Sequence, residues 1–148
     1  MPWKARYEWE NNPNGYSGFP GTVFNHIVQF RNTGGRTWTA ANDVYGRAAI
    51  FLAAANVPAQ PQRTGFTTRV SASYVAGNWE ANWRPGRTDE QNVVPSAVGT
   101  FQFAVVTNGP IGSRQERFDI VSNGLFWFDY WDPPGINGFY VPIYVVCC

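Results

Sequence analysis

The chain has 148 residues, the size of one domain, with 14% charged, 17% aromatic and 44% hydrophobic residues and a net charge of +1. That apolar content excludes a disordered chain, and a chain near this length buries roughly 68–70% of its unfolded surface, so one core suffices. The near-zero charge excludes recruitment of nucleic acid or of an anionic membrane by a global field, and no apolar run reaches the ~20 residues of a membrane-spanning helix.

Trp3, Ala5, Tyr7 and Trp9 alternate with Lys4, Arg6, Glu8 and Glu10, which predicts a strand with its aromatics on one face. Asn11 to Gly15 is a turn, and Tyr16 to Gly21 a loop punctuated by Gly and Pro. The chain divides accordingly into an N-terminal strand-like arm, residues 1–16, and a domain over residues 17–148. Left in water, the face of Trp3, Tyr7 and Trp9 is a sticky patch. It is covered either by the chain's own sheet or by a neighbouring subunit's. The arm precedes the motifs described below, which favours the neighbour and makes these three residues candidate assembly contacts.

Phe24, His26, Val28 and Phe30 alternate with Asn25, Ile27, Gln29 and Arg31, a strand with one packed face. Asn32-Thr33-Gly34-Gly35 stops it, because Asn and Gly accept the positive φ of a sharp reversal. Trp38 is placed to fold back onto the sheet. From Val44 to Ala55 helix and strand compete, and Gly46 with its β-branched and aromatic neighbours favours strand. Ala53 to Arg63 reads as a loop. Thr64 to Val75 alternates weakly, with Phe66 and Val70 inward. Ala76 to Asn92 is a long polar loop around Trp79 and Trp83. Phe101, Phe103 and Val105 mark a core strand that turns at Asn108-Gly109. Arg117 to Ser122 and Leu125 to Tyr130 form a hairpin about Asn123-Gly124, which sets Ile120 opposite Trp127. In the last strand, Phe139 to Val146, one row is Phe139, Val141, Ile143 and Val145. Pro142 marks it as an edge or a bulge. No long 3.6-residue period occurs, so the class is all-β.

Four stretches in order carry a resemblance: Phe30-Arg-Asn-Thr-Gly-Gly-Arg-Thr-Trp38; Asn82-Trp83-Arg84-Pro85; Val94-Pro95 with Val98-Gly-Thr-Phe-Gln-Phe103; and Glu116 to Phe128. Together they resemble an immunoglobulin-like family that includes the four-tryptophan domain of selective-autophagy receptors and bacterial modules on secreted cell-wall hydrolases. The match runs from about Gly21 to Val146. It implies an immunoglobulin-like β-sandwich of about seven to nine strands. It carries no catalytic set, so the expected protein is not an enzyme. Two departures stand out: Pro95-Ser96 replaces the Pro-Gly usual in the family, and Ala53 to Gln62 has no counterpart.

The residues themselves offer little chemistry. His26 is the only histidine and faces inward, where a core imidazole with one hydrogen-bond partner is expected. No metal or cofactor site is expected, since ligands would have to cluster. Asp89-Glu90, Asp129 and Asp132 lie in turn-rich segments where Asp is common. Cys147 and Cys148 are adjacent, with Cα atoms ~3.8 Å apart against the usual ~4.4–6.8 Å, so a mutual bridge would be strained and the fold should hold by packing alone.

Ten arginines stand against one lysine. Arg is favoured over Lys at interfaces, although genomic base composition gives the same bias. Trp79, Trp83, Tyr130 and Trp131, with Arg84 and Arg87, lie in or beside loops and are the candidate binding residues. Trp83 and Trp127 are also candidates for core packing under the family pattern. Two functions follow. The first is a structural subunit of a large assembly, such as a phage capsid decoration or tail accessory protein or a surface array. It implies protein partners or self-association, and a virion or extracellular surface location without signal peptide or membrane insertion. The alternative is a glycan-binding module for bacterial surface carbohydrate.

Overall fold

The computed structural model describes residues 3–42, 44, 49–54, 70–122, 126–128, 132 and 138–147, with backbone only at 126 and 127. Among the described residues there are eleven strands: β1 (Ala5–Glu10), β2 (Tyr16–Gly18), β3 (Val23–Asn32), β4 (Trp38–Thr39), β5 (Ile50–Ala54), β6 (Gly86–Arg87), β7 (Asn92–Val93), β8 (Val98–Val106), β9 (Gly112–Ser122), β10 (Phe126–Trp127) and β11 (Phe139–Val145). The protein is all-β, with no helix among the described residues. One sheet has the order β1-β3-β8; the larger has β2-β11-β9-β5-β6, with β10 also on β9; β4 and β7 form a short ladder. All pairings are antiparallel except β2 with β11.

The two main sheets share one core. Phe30, Phe101 and Phe103 of the smaller sheet meet Phe118 and Phe139 of the larger, with Phe103 and Phe118 centroids 5.4 Å apart and Phe30 and Phe139 5.3 Å apart. These edge-on and tilted contacts suit the ring quadrupoles. Trp38 is fully buried and meets Phe128 at 5.5 Å, as its place after the corner predicts.

The arm is the edge strand of the chain's own sheet, which corrects the expectation of a neighbour. Its alternation is corrected too. Tyr7 lies opposite Phe30 and Trp9 opposite Gln29, so Glu8 is the extra residue of a bulge. The bulge flips everything after it. Trp9 turns outward at 48% exposed, and Glu10 turns into the core. There Glu10 Oε2 lies 2.6 Å from Nε2 of the fully buried His26, whose Nδ1 is 2.8 Å from the Tyr16 hydroxyl. His26 thus has two partners, not one. A proton on Nε2 donated to Glu10, with the Tyr16 O–H donated to Nδ1, satisfies both ring nitrogens.

Asn32 ends β3 without a positive φ, which corrects the reason given for the corner. Its buried amide does the work instead. Nδ2 donates to the carbonyls of Arg36 and Val93 at 2.7 and 2.9 Å, and Oδ1 accepts from the Gly34 N–H. The positive φ appears at Ser96 (75°), where Ala97 N–H donates to Val94 O at 2.9 Å. Pro95-Ser96 therefore makes the turn that Pro-Gly would make, a type II turn with Ser in the glycine position.

Four further expectations change. The turn at Asn123-Gly124 lies outside the described residues, but Trp127 pairs with Val121, so three residues rather than two join β9 to β10 and Ile120 is not opposite Trp127. β11 is interior, between β9 and β2, and carries no bulge. Pro142 is tolerated because its carbonyl faces Gly15, so its missing N–H lies on the side where the β2 ladder begins only at Ile143. Val70 is 67% exposed, not inward, while Phe66 lies outside the described residues. Cys147 is disulfide-bonded, which the packing-only expectation did not include, and Cys148 lies outside the described residues.

Candidate functional site

The outward face of the larger sheet brings three of the predicted residues together. β5 is apolar at every position. Ile50, Leu52 and Ala54 face the main core, and Ala49, Phe51 and Ala53 build a second buried cluster on the other side with Val121. The segment that reaches β6 supplies cover. Ala54 N–H donates to Trp83 O at 2.8 Å, and a tight turn returns the chain, with Arg84 N–H donating to Ala81 O at 3.1 Å. Trp83 packs against the second cluster.

Arg84 lies between two rings, its guanidinium carbon 4.0 Å from the Phe51 centroid and 4.2 Å from that of Trp83. Arg87, opposite Phe51 in the ladder, reaches the same Phe51 ring at 4.8 Å. Its Nε is 2.9 Å from Glu80 Oε1, and Nη1 donates to the Ala40 carbonyl at 2.8 Å. Burial lowers the Arg84 guanidinium from its ordinary value, Glu80 opposing and Arg87 adding to the effect. The group stays cationic at neutral pH. Two cations on one ring are thus held by ring quadrupoles and one carboxylate.

The other predicted residues are not at this site. Trp79 is corrected from loop contact to core: it is 5% exposed, lies against Tyr74, Phe103 and Phe118, and donates Nε1–H to the Ala104 carbonyl at 2.6 Å. Tyr130 and Trp131 lie outside the described residues, as does the Trp127 side chain. Trp3 packs on Phe128 at 5.6 Å and Tyr7 meets Phe30 at 6.1 Å within the chain, while Trp9 stays open at 48% exposed. Glu90 Oε1 accepts from the Thr100 N–H at 2.7 Å, a structural use, while burial and the adjacent Glu90 raise the Asp89 carboxyl. Among the described residues no group of three His, Cys, Asp or Glu side chains is placed to hold a metal, and no helix is long and apolar enough to cross a membrane.

Sequence reasoning missed Tyr140 and Tyr144, which stand on the same outward face at 42% and 43% exposed. With Pro142 they form the outer row of β11, and Ser113, Arg114, Gln115 and this row line a shallow depression of about 300 Å³. The signal was available: they are the alternate positions of a strand whose other row is core. A second depression, about 360 Å³, is lined by Phe19, Pro20, Ile111 and Cys147. No protein family's model matches this sequence, and no curated protein matches it.

Proposed function

We propose that the chain is a non-catalytic structural and interaction protein on an immunoglobulin-like β-sandwich, a subunit of a large assembly such as a phage virion or a surface array. The observation that carries this reading is the Phe51–Arg84–Trp83 stack with Arg87 beside it on the outward face. Trp, Tyr and Arg are the residues that dominate protein interfaces, and an arginine already clamped between rings has little rotamer freedom left to lose on docking. The strand order supports the sandwich: one sheet β1-β3-β8, the other centred on β11-β9-β5, with one core between them. The buried Asn32 corner, the buried Trp38 and the turn at Ser96 support the family resemblance at the motifs that suggested it.

Sedimentation of the purified chain over a concentration series, beside cosedimentation with the particle of its source, tests the reading. Larger species or particle binding is expected, weakened about tenfold by Arg84→Ala with Arg87→Ala. A chain that stays monomeric and ignores the particle overturns it. One observation favours a second reading, a glycan-binding module: the open Tyr140–Pro142–Tyr144 row beside polar side chains.

A further inference from the structure

The outer row of β11 faces a polar row of β9. In register, Tyr140 lies opposite Arg117, Pro142 opposite Gln115 and Tyr144 opposite Ser113. Arg117 sits 5.3 Å from the Tyr140 centroid and donates from Nη2 to Gln115 Oε1 at 3.0 Å. That bond commits the amide oxygen and leaves the Gln115 amide nitrogen as a donor. Arg117 is the cation of this β9 row, and Asp119, the next position of the same row, is buried. The result is an apolar line with hydrogen-bonding groups along one side.

We infer that this double row is a stacking platform for a neutral, straight, β-1,4-linked pyranose chain, an inference that rests on the glycan reading above. Four chemical features select that ligand. A pyranose offers an apolar C–H face to a tyrosine ring and equatorial hydroxyls to flanking amides and hydroxyls. Tyr140 and Tyr144 stand four residues apart on one strand, ~13 Å along its axis, a span that a few linked rings cover. Two rings on a straight line fit an extended chain, whereas a curled α-linked chain meets only one. The depression is shallow and open, with none of the deep apolar pockets that anchor a protein partner. Tyrosine and proline also cost little conformational entropy when a ligand orders them.

The test is a titration of the full chain with tetramers of β-1,4-linked glucose and β-1,4-linked N-acetylglucosamine, with the α-1,4-linked glucose tetramer beside them. Binding is read from tyrosine ring resonances and from calorimetry. One β-linked tetramer is expected to bind, weakened about tenfold by Tyr140→Ala or by Tyr144→Ala and abolished by both. The α-linked tetramer should bind about tenfold more weakly, and Val94→Ala, exposed and outside both rows, should leave binding unchanged. Each variant's melting curve is recorded, and Tyr→Phe at either position should keep most of the binding. If a β-linked tetramer binds the parent and the double variant equally, the platform is wrong and the glycan reading stands. If no tetramer binds at ~10 mM, the platform and the glycan reading both fall. Equal binding of the α-linked tetramer overturns the straight-chain geometry.

Discussion

The outward face of the larger sheet has two halves with opposite fates. Over β5 and β6 it is covered: Phe51 is 1% exposed beneath Trp83 and Arg84. Over β11 and β9 it is open, with Tyr140 and Tyr144 at 42% and 43% exposed. Both halves carry aromatic rings paired with arginine, so the residue types alone do not decide. Neighbouring outward positions do. Around Phe51 they are Ala49, Ala53 and Val121, an apolar field that water penalises and that recruits a cover. Around the tyrosines they are Ser113 and Gln115, which water already satisfies. A continuous apolar run such as β5 needs packing on both faces, and an alternating strand such as β11 on one.

The sharpest way to break this contrast is to remove Phe51. Phe51→Ala should cost about 3–5 kcal/mol, as for a ring in the main core, although the residue points away from that core. Denaturant unfolding measures it, and a cost under about 1 kcal/mol would mean that the second cluster is not a core at all. Trp83→Ala should cost less, about 2 kcal/mol, because the ring is only half-buried, and it should also uncover Phe51 to a hydrophobic dye. Arg84→Met keeps the stem and removes the charge, so it should cost about 1 kcal/mol. On the open half, Tyr140→Ala and Tyr144→Ala should each change stability by no more than about 0.5 kcal/mol. A larger loss at either tyrosine would place it with Phe51 and end the distinction.

How much of this was legible in the sequence depended on how far away the deciding partner sat. The row Phe24, His26, Val28 and Phe30 was readable because alternation is local, although the structure leaves Phe24 only partly buried. The arm alternated just as well and misled, because the bulge at Glu8 is set by pairing with β3 and by the His26 partner waiting for Glu10. Trp79 looked like a loop ring because its neighbours are polar. Its burial is decided by Phe103 and Phe118, which no local pattern names. Trp83, Arg84 and Arg87 stand among the six candidates that the loops suggest, but Phe51, which both arginines reach, does not. Tyr140 and Tyr144 are hidden by the pattern of their strand, whose regular apolar row is the inward one. Ser96 is the converse case: the family pattern marked the position, and the backbone there adopts the glycine-like φ even without glycine.

The smallest expected effect sharpens the comparison, since exposure alone does not separate an open ring from an engaged one. Tyr7 is 42% exposed, like Tyr140, yet the fold raises its phenol. Burial first, then the charge of Glu10 and a hydrogen bond with it, push Tyr7 from an ordinary value of 10.0 up to about 12. The sign follows from proton binding. Below pH ~10 both folded and unfolded chains keep the phenol proton, and stability is unaffected. Between about 10 and 12 the unfolded chain loses it first, binds fewer protons, and is favoured as pH rises. Stability should therefore decline through that window, modestly, because solvent reaches the ring. Tyr16, raised by burial, adds to the same slope, its Asn11 hydrogen bond opposing. Urea midpoints taken from pH 9 to 11.5 should fall less steeply in Tyr7→Phe than in the parent, with the two curves parallel below pH ~10. Parallel curves throughout would mean that Glu10 does not engage Tyr7, and that its ring is as open as those of β11.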